Sequence, residues 1–432
     1  MNPNLDRVAD RKLAGLVVDG GRLRALLLEL WQRTRMDWGF VTDRLAQTFR
    51  KETWIGAHDR RFIGETLYGL VRHLRRVDAA LDRGRKTKKA PKDLERLLAL
   101  LVLEKLVEPT RVVKLAPDLD WNAVATIDDA IAAERNVTKR IALAASLPDW
   151  LAARLVADWG DAAEPLALSL NQRAPMTVRA NLLVTTRDDL AAELAKEGLA
   201  TTPGTWCPTA LHVDTRTNLF ATDAFKRGAM EAQDEGSQML AELAIGSAPP
   251  AKPLVIDLCA GAGGKTLALA ARLGNRGRIV ASDVDKAKLE ELKKRARRAG
   301  VSNAQPMLLE GGTWPESLHL LRDKADVVFV DAPCSGIGAL RRNPEARWRL
   351  REPDLDTFAA RQREILDGAA ALVAPGGRLV YATCTLLRVE NQDVIDAFAA
   401  AHPQLALGEE LIVAPHTHGT DGFYARELRR PA

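Results

Sequence analysis

Two stretches of this sequence end in side chains capable of chemistry. Residues 325–338, ADVVFVDAPCSGIG, are almost wholly apolar from Asp326 to Val330, then deliver Asp331, Cys334 and the glycines Gly336 and Gly338. Residues 377–385, GRLVYATCT, have the same design and run into Cys384. Such apolar runs read as strands buried on both faces of a parallel sheet. In open α/β sheets, ligands and chemistry sit just beyond the carboxyl ends of the strands. A carboxylate and a thiol delivered there together point to chemistry rather than packing.

A third stretch looks built to hold a ligand. Residues 254–258 form an apolar strand, followed by Cys259-Ala260-Gly261-Ala262-Gly263-Gly264-Lys265-Thr266 and a helical pattern. Glycines between strand and helix let backbone N–H groups approach a ligand at the helix N-terminus. A phosphate-binding P-loop would need a glycine where Cys259 stands, and the dinucleotide fingerprint would need a third glycine. The next strand, residues 278–282, ends in Asp283, about 20 residues past the glycines, where an acid can take ribose hydroxyls. An adenosine-type ligand on a fold that binds S-adenosylmethionine fits best.

The rest of the chain must position these ends. Its 432 residues carry a formal net charge of +5, a mild basic balance that suits a polyanionic partner without demanding one. The four cysteines form no C-x-x-C pair, so neither a disulfide framework nor a metal site is signalled. No signal peptide or membrane span is legible, and a reducing, cytoplasmic setting is expected.

Three parts are expected. Residues 1–145 read as helix after helix, with candidates at 22–49 and 60–84. In the second, Ile63, Leu67, Leu70, Val71, Leu74, Val77 and Leu81 form one apolar stripe. Arg60, Arg61, Arg72, Arg75, Arg76 and Arg83 lie off that stripe, and the basic run RGRKTKKAPK follows at 83–92. The pattern resembles a NusB-like RNA-binding domain, though a solvated basic face would read the same. Residues 146–245 alternate helices and short strands, a small α/β, RRM-like lobe in which Arg179 and Asn181 could face RNA or simply satisfy a surface strand. Residues 246–432 make the Rossmann-like α/β domain.

The motifs IDLCAGAGGKT, VASDVD, VDAPCSGIG, RRNPEARW and YATCT stand in the order and spacing of the Sun/NSUN family of RNA cytosine-5 methyltransferases. With its helical first part, the chain resembles the bacterial Sun (Fmu) type that methylates 16S ribosomal RNA. The resemblance covers the C-terminal half throughout and the first half mainly in architecture. It implies that Cys384 adds to cytosine C6, which makes C5 nucleophilic enough to take a methyl group. Asp331 would hydrogen-bond the base, Cys334 would assist release, and Lys265 would support the cofactor loop or the base. Residues Cys259, Ala260, Gly261, Ala262, Gly263, Gly264 and Lys265, with Asp283, Glu310 and Asp331, would hold S-adenosyl-L-methionine. Cys259 is expected to contribute backbone rather than sulfur, and Cys207 to be inert.

The sequence departs from the family in two places. The family usually reads C-A-A-P-G-G-K where this chain has C-A-G-A-G-G-K. Its adenine-contacting acid falls at Gly311, with Glu310 one position away as the candidate replacement. The basic segment Arg341, Arg342, Arg347, Trp348 and Arg349 suits RNA phosphates and a stacked base, against the rival reading of an ordinary salt-bridged loop. RNA is thus the expected partner, with no membrane and a monomeric chain. The same chemistry on transfer RNA, or a non-catalytic ribosome-assembly factor, are the alternatives.

Overall fold

The computed structural model describes residues 7–86, 89–214, 217–310 and 314–432. The chain divides into two compact units: Met1–Arg173 with Ala339–Glu352, and Ala174–Gly338 with Pro353–Ala432. The first is helical. Its hydrophobic core gathers Leu27, Leu30, Trp31, Phe62, Ile63, Leu67, Leu70 and Leu98, each worth about 1.5–3 kcal/mol on burial.

The expected helix over 22–49 is two helices, Arg22–Asp37 and Val41–Lys51. Trp38 takes a left-handed conformation (φ 50°) at the end of the first, closing it with a bond from its N–H to Thr34 O. The next helix, Ala57–Gly84, is kinked at His73 (φ −112°, ψ 15°). Ser146 Oγ accepts from Arg75 N at 2.7 Å there, and a side-chain acceptor entering the backbone ladder is a sufficient cause of a kink. The arginines expected to line a basic face are largely committed. Arg76 Nε donates to Asp128 at 2.7 Å, Arg75 pairs with Asp149, and Arg85 donates to Glu95. Thr87 and Lys88 of the basic run lie outside the described residues.

The segment 146–245 spans both units. Helices Asp149–Trp159 and Ala163–Ser169 belong to the helical unit, and the second unit begins at Ala174. There β1 (Met176–Ala180), β2 (Thr201–Pro203), β3 (Ala210–Val213) and β4 (Met230–Ala232) form an antiparallel sheet in the order β2-β3-β1-β4. Arg179 and Asn181 do not face outward from it. Arg179 Nε donates to Gln233 Oε1 at 2.7 Å, and burial pulls its guanidinium down to about 10. Asn181 Nδ2 donates to Gly228 O and Ala299 O, both at 2.8 Å, so it ties the small sheet to the large domain.

The large sheet holds β5 (Leu254–Leu258), β6 (Arg278–Asp283), β7 (Ala304–Leu308), β8 (Ala325–Asp331), β9 (Val373–Thr383), β10 (Ala406–Val413) and β11 (Phe423–Arg429). Its order is β10-β11-β9-β8-β5-β6-β7. Strands β5 to β9 pair in parallel, and β11 pairs antiparallel with both β9 and β10. This is the Rossmann-like sheet expected, with its apolar strands covered on both faces. Strand order reverses between β5 and its neighbours β6 and β8, where such sheets open a ligand crevice.

Candidate active site

Strands β8 and β9 are parallel neighbours with Asp331 opposite Ala382, and Ala332 N donates to Ala382 O at 2.8 Å. That register brings the two thiol-bearing loops to the same level. Gly338 N then bonds Cys384 O at 2.9 Å. A Cβ on Gly338 would lie 2.1 Å from Gly422 O and 2.8 Å from Cys384 O, so only glycine permits this closure. The result is a Cys334 Sγ–Cys384 Sγ distance of 3.4 Å across fifty residues of sequence. Both cysteines remain partly exposed.

A thiol that donates to its neighbour stabilises the neighbour's thiolate. Either sulfur can donate across this contact; it pulls the Cys384 thiol below its ordinary range, with Lys265 helping, while Cys334 is pushed well up by the contact and by burial. Lys265 Nζ donates to Asp331 Oδ2 at 2.6 Å, and this pairing raises the Lys265 ammonium despite its burial. The other two cysteines are different: burial raises both Cys207 and Cys259 to about 12.

The cofactor loop lies beside this group. Cys259 (φ 62°), Gly261 (φ 55°) and Gly263 (φ 84°) all adopt left-handed backbone, turning the chain sharply into helix Gly264–Leu273. A Cβ on Gly263 would meet Leu292 Cγ at 2.6 Å. Asp283 Oδ2 accepts Gly261 N and its Oδ1 accepts Asp285 N, both at 2.8 Å, which fixes the carboxylate at the loop. Beneath, Thr266 Oγ1 donates to Asp257 Oδ2 at 2.6 Å. Burial nevertheless lifts the Asp257 carboxyl to about 7.

These residues wall a cavity of about 640 Å³, within the range of small-molecule sites. Cys259, Ala260, Gly261, Ala262, Gly264, Lys265, Asp283 and Asp331 line it, whereas Gly263 does not. Its backbone N–H groups, helix N-terminus and carboxylates suit a ligand carrying ribose hydroxyls, a carboxylate and a cationic centre. Glu310 is exposed and is not among the lining residues, whereas Leu309 is. Gly311 lies outside the described residues. Gln233, Asp234, Ser237 and Trp314 also line the cavity and were missed in the sequence. The one local signal was Asp234 as an N-cap, accepting Gly236 N before helix Glu235–Ile245. That predicts a helix start and says nothing of a cavity.

The basic segment expected on RNA behaves otherwise. Arg347 is 0% exposed. Its Nη1 donates to Arg72 O (3.2 Å), Ala145 O (3.0 Å), Ser146 O (3.3 Å) and Asn171 Oδ1 (2.8 Å). Burial brings this guanidinium down to about 9. Arg341 is buried with Nη2 on Arg173 O at 2.9 Å, and Trp348 Nε1 donates to Val71 O at 2.7 Å. All three partner sets belong to the helical unit, so these side chains hold its fold and are not presented to a phosphate. Arg342 and Arg349 are exposed. Among the described residues no helix is long and apolar enough to cross a membrane, and no metal-binding cluster occurs.

Two family models match segments of the chain. Residues 245–429 match the family described as 16S rRNA methyltransferase RsmB/F, and residues 147–219 match its ferredoxin-like domain. A relative in Synechocystis named "Probable ribosomal RNA small subunit methyltransferase B" is 31% identical over 412 residues, covering 86% of this chain and 91% of its own. The crystal structure of PH0851 superposes with a TM-score of 0.74 at 26% identity, covering 94% of this chain and 97% of the other. A methyltransferase homolog from Pyrococcus horikoshii gives a TM-score of 0.59 at 25% identity over 69% of this chain and 100% of its own. The chain therefore belongs to the RsmB/F family and is an S-adenosylmethionine-dependent RNA methyltransferase.

Proposed function

We propose that the protein methylates C5 of a cytosine in RNA, with 16S ribosomal RNA as the substrate, through a covalent bond between Cys384 and C6. The observation that carries this reading is the 3.4 Å approach of two thiols at adjacent strand ends, with Asp331 beside them.

S-adenosylmethionine, held along the glycine loop and by Asp283, supplies the methyl group when bound. The chain's own residues do the rest. The target base must leave its stack to reach the strand ends. The Cys384 thiolate adds to C6, forming an S–C6 bond and pushing the ring's electron pair toward C5. Asp331, held by Lys265 at the end of the neighbouring strand, bonds the base at N3 and its exocyclic amine. Once Cys384 is bonded to C6 and C5 carries the methyl group, Cys334 gives up its own proton to solvent, and the Cys334 thiolate takes the remaining C5 proton. The electrons of that C–H bond reform the ring double bond and expel Cys384 as thiolate.

The names of the relatives support ribosomal RNA as the substrate. Bisulfite mapping of ribosomal and transfer RNA from a strain lacking the protein tests both base and RNA. One lost 5-methylcytosine in 16S RNA, restored by the wild-type gene, is the expected result. An unchanged ribosomal map with a lost transfer-RNA site would move the substrate, and no lost site in either would overturn the reading.

A further inference from the structure

Behind the two thiols lies a polar network that the mechanism above does not use. Glu390 is 0% exposed and Asn391 is 3% exposed. Glu390 Oε1 accepts from Ser335 N at 2.8 Å and Gln362 Nε2 at 3.1 Å, and Oε2 accepts from the Ser335 hydroxyl. Gln362 Nε2 also donates to Pro333 O at 3.0 Å. Asn391 Oδ1 accepts from Thr383 Oγ1 at 2.6 Å, while its Nδ2 donates to Thr385 O at 3.2 Å. The flanks of Cys334 (Pro333 and Ser335) therefore hang on Glu390 and its partner Gln362. The flanks of Cys384 (Thr383 and Thr385) hang on Asn391. Ser335 Oγ and Thr385 Oγ1, 2.9 Å apart, join the two halves.

Burying a carboxyl is costly unless its hydrogen bonds are made. Here three donors converge on one carboxyl, and two of them come from the residue following Cys334. We propose that Glu390 and Asn391 are positioning residues: as one rigid dipeptide they hold the two cysteine loops together, and so set the Sγ–Sγ spacing through which Cys334 acts on Cys384. The proposal rests on the cysteine reading above.

The network's charge works against a thiolate, because Glu390 faces both sulfurs and its negative charge opposes ionisation of each. Its benefit is therefore geometric. The other groups facing Cys384 are Cys334, Asp331 and Lys265; substitution at 390 changes the chemistry of none of them and acts on Cys334 only through the position of its loop.

The test is the pH profile of iodoacetamide alkylation at Cys384, read by peptide mass spectrometry on the folded full-length chain. Each variant is first checked for S-adenosylmethionine affinity. Glu390→Gln keeps an acceptor for Ser335 N and removes the opposing charge, so it should label at least as fast as wild type at pH 7. Glu390→Ala frees the Cys334 loop, so Cys384 loses its donor and labelling at pH 7 should fall about tenfold, one unit of pKa. Should Glu390→Ala fail to fold, Ser335→Ala removes only the hydroxyl bridge and should lower labelling about threefold. A folded Glu390→Ala or Ser335→Ala with the wild-type profile would overturn the proposal, as would Glu390→Gln falling as far as alanine. Alkylation needs no RNA, so its failure counts against the clamp alone. A wild-type chain that labels as expected but never bonds RNA counts against the cytosine reading instead.

Discussion

Residues 325–338 and 339–352 follow one another in the chain and read alike, each combining reactive or charged side chains with the residue types of a binding loop. Their fates are opposite. In the first, Asp331, Cys334 and the facing Cys384 stay partly exposed where a parallel sheet opens. In the second, Arg341, Arg347 and Trp348 turn into the helical unit and spend their donors on backbone carbonyls. The difference lies in what surrounds each group. A thiol at a strand end gains nothing from deeper burial, whereas a guanidinium carries five donors and can satisfy several chain ends at once. Charge in a sequence is therefore poor evidence for a nucleic-acid contact until its acceptors are known.

The strongest way to break this contrast is to remove the sulfur. Cys384→Ala should lower methyl transfer to RNA on the order of 10³-fold or more, since no other residue replaces a covalent nucleophile. S-adenosylmethionine affinity by calorimetry should stay within about twofold, since the cofactor loop is untouched. Activity within about tenfold of wild type would remove the first region from the chemistry.

The second region should fail in stability instead. Arg347→Ala strands several buried acceptors and should cost about 3–5 kcal/mol in denaturant unfolding. Arg342→Ala, an exposed neighbour, should change stability by less than about 0.5 kcal/mol and flatten the salt dependence of RNA binding by about one unit if it meets a phosphate. Near-wild-type stability in Arg347→Ala with a reduced salt slope would return that side chain to the RNA.

A smaller effect sharpens the comparison from the cofactor side. Asp257 has a carboxyl raised to about 7 in the folded chain, against about 3.9 when unfolded. Between those values the unfolded chain ionises while the folded one keeps its proton, so folding loses stability as pH rises through the window. Above about pH 7 the loss is complete. Relative to Asp257→Asn, wild type should therefore lose about 2–4 kcal/mol from about pH 4 to about pH 8. Parallel stability profiles would show that Asp257 is ionised throughout.

Much of the large domain was legible because its strands are apolar runs closed by special residues. Leu254–Leu258 before a glycine loop, and Ala325–Asp331 before Pro333 and Cys334, announce themselves by composition and position. The pairing of Cys334 with Cys384 also followed, since parallel neighbours bring their carboxyl ends together. What stayed hidden depends on partners remote in sequence. Nothing local tells that Arg347 would find Ala145 and Asn171, or that Asn181 would reach Ala299. Nothing local marks Glu390 and Asn391, although their bonds reach back to Ser335 and Thr383. Helices of residues 149–169 carry no local mark of which unit they pack in.

The central claim, two thiols with separate tasks, is tested most directly by trapping. Cys334→Ala, incubated with 16S RNA and S-adenosylmethionine and run on a denaturing gel, should accumulate protein bonded to RNA, since Cys384 still attacks and release is blocked. Cys384→Ala under the same conditions should give no such band. A covalent band in Cys384→Ala together with none in Cys334→Ala would contradict the account by reversing the two roles.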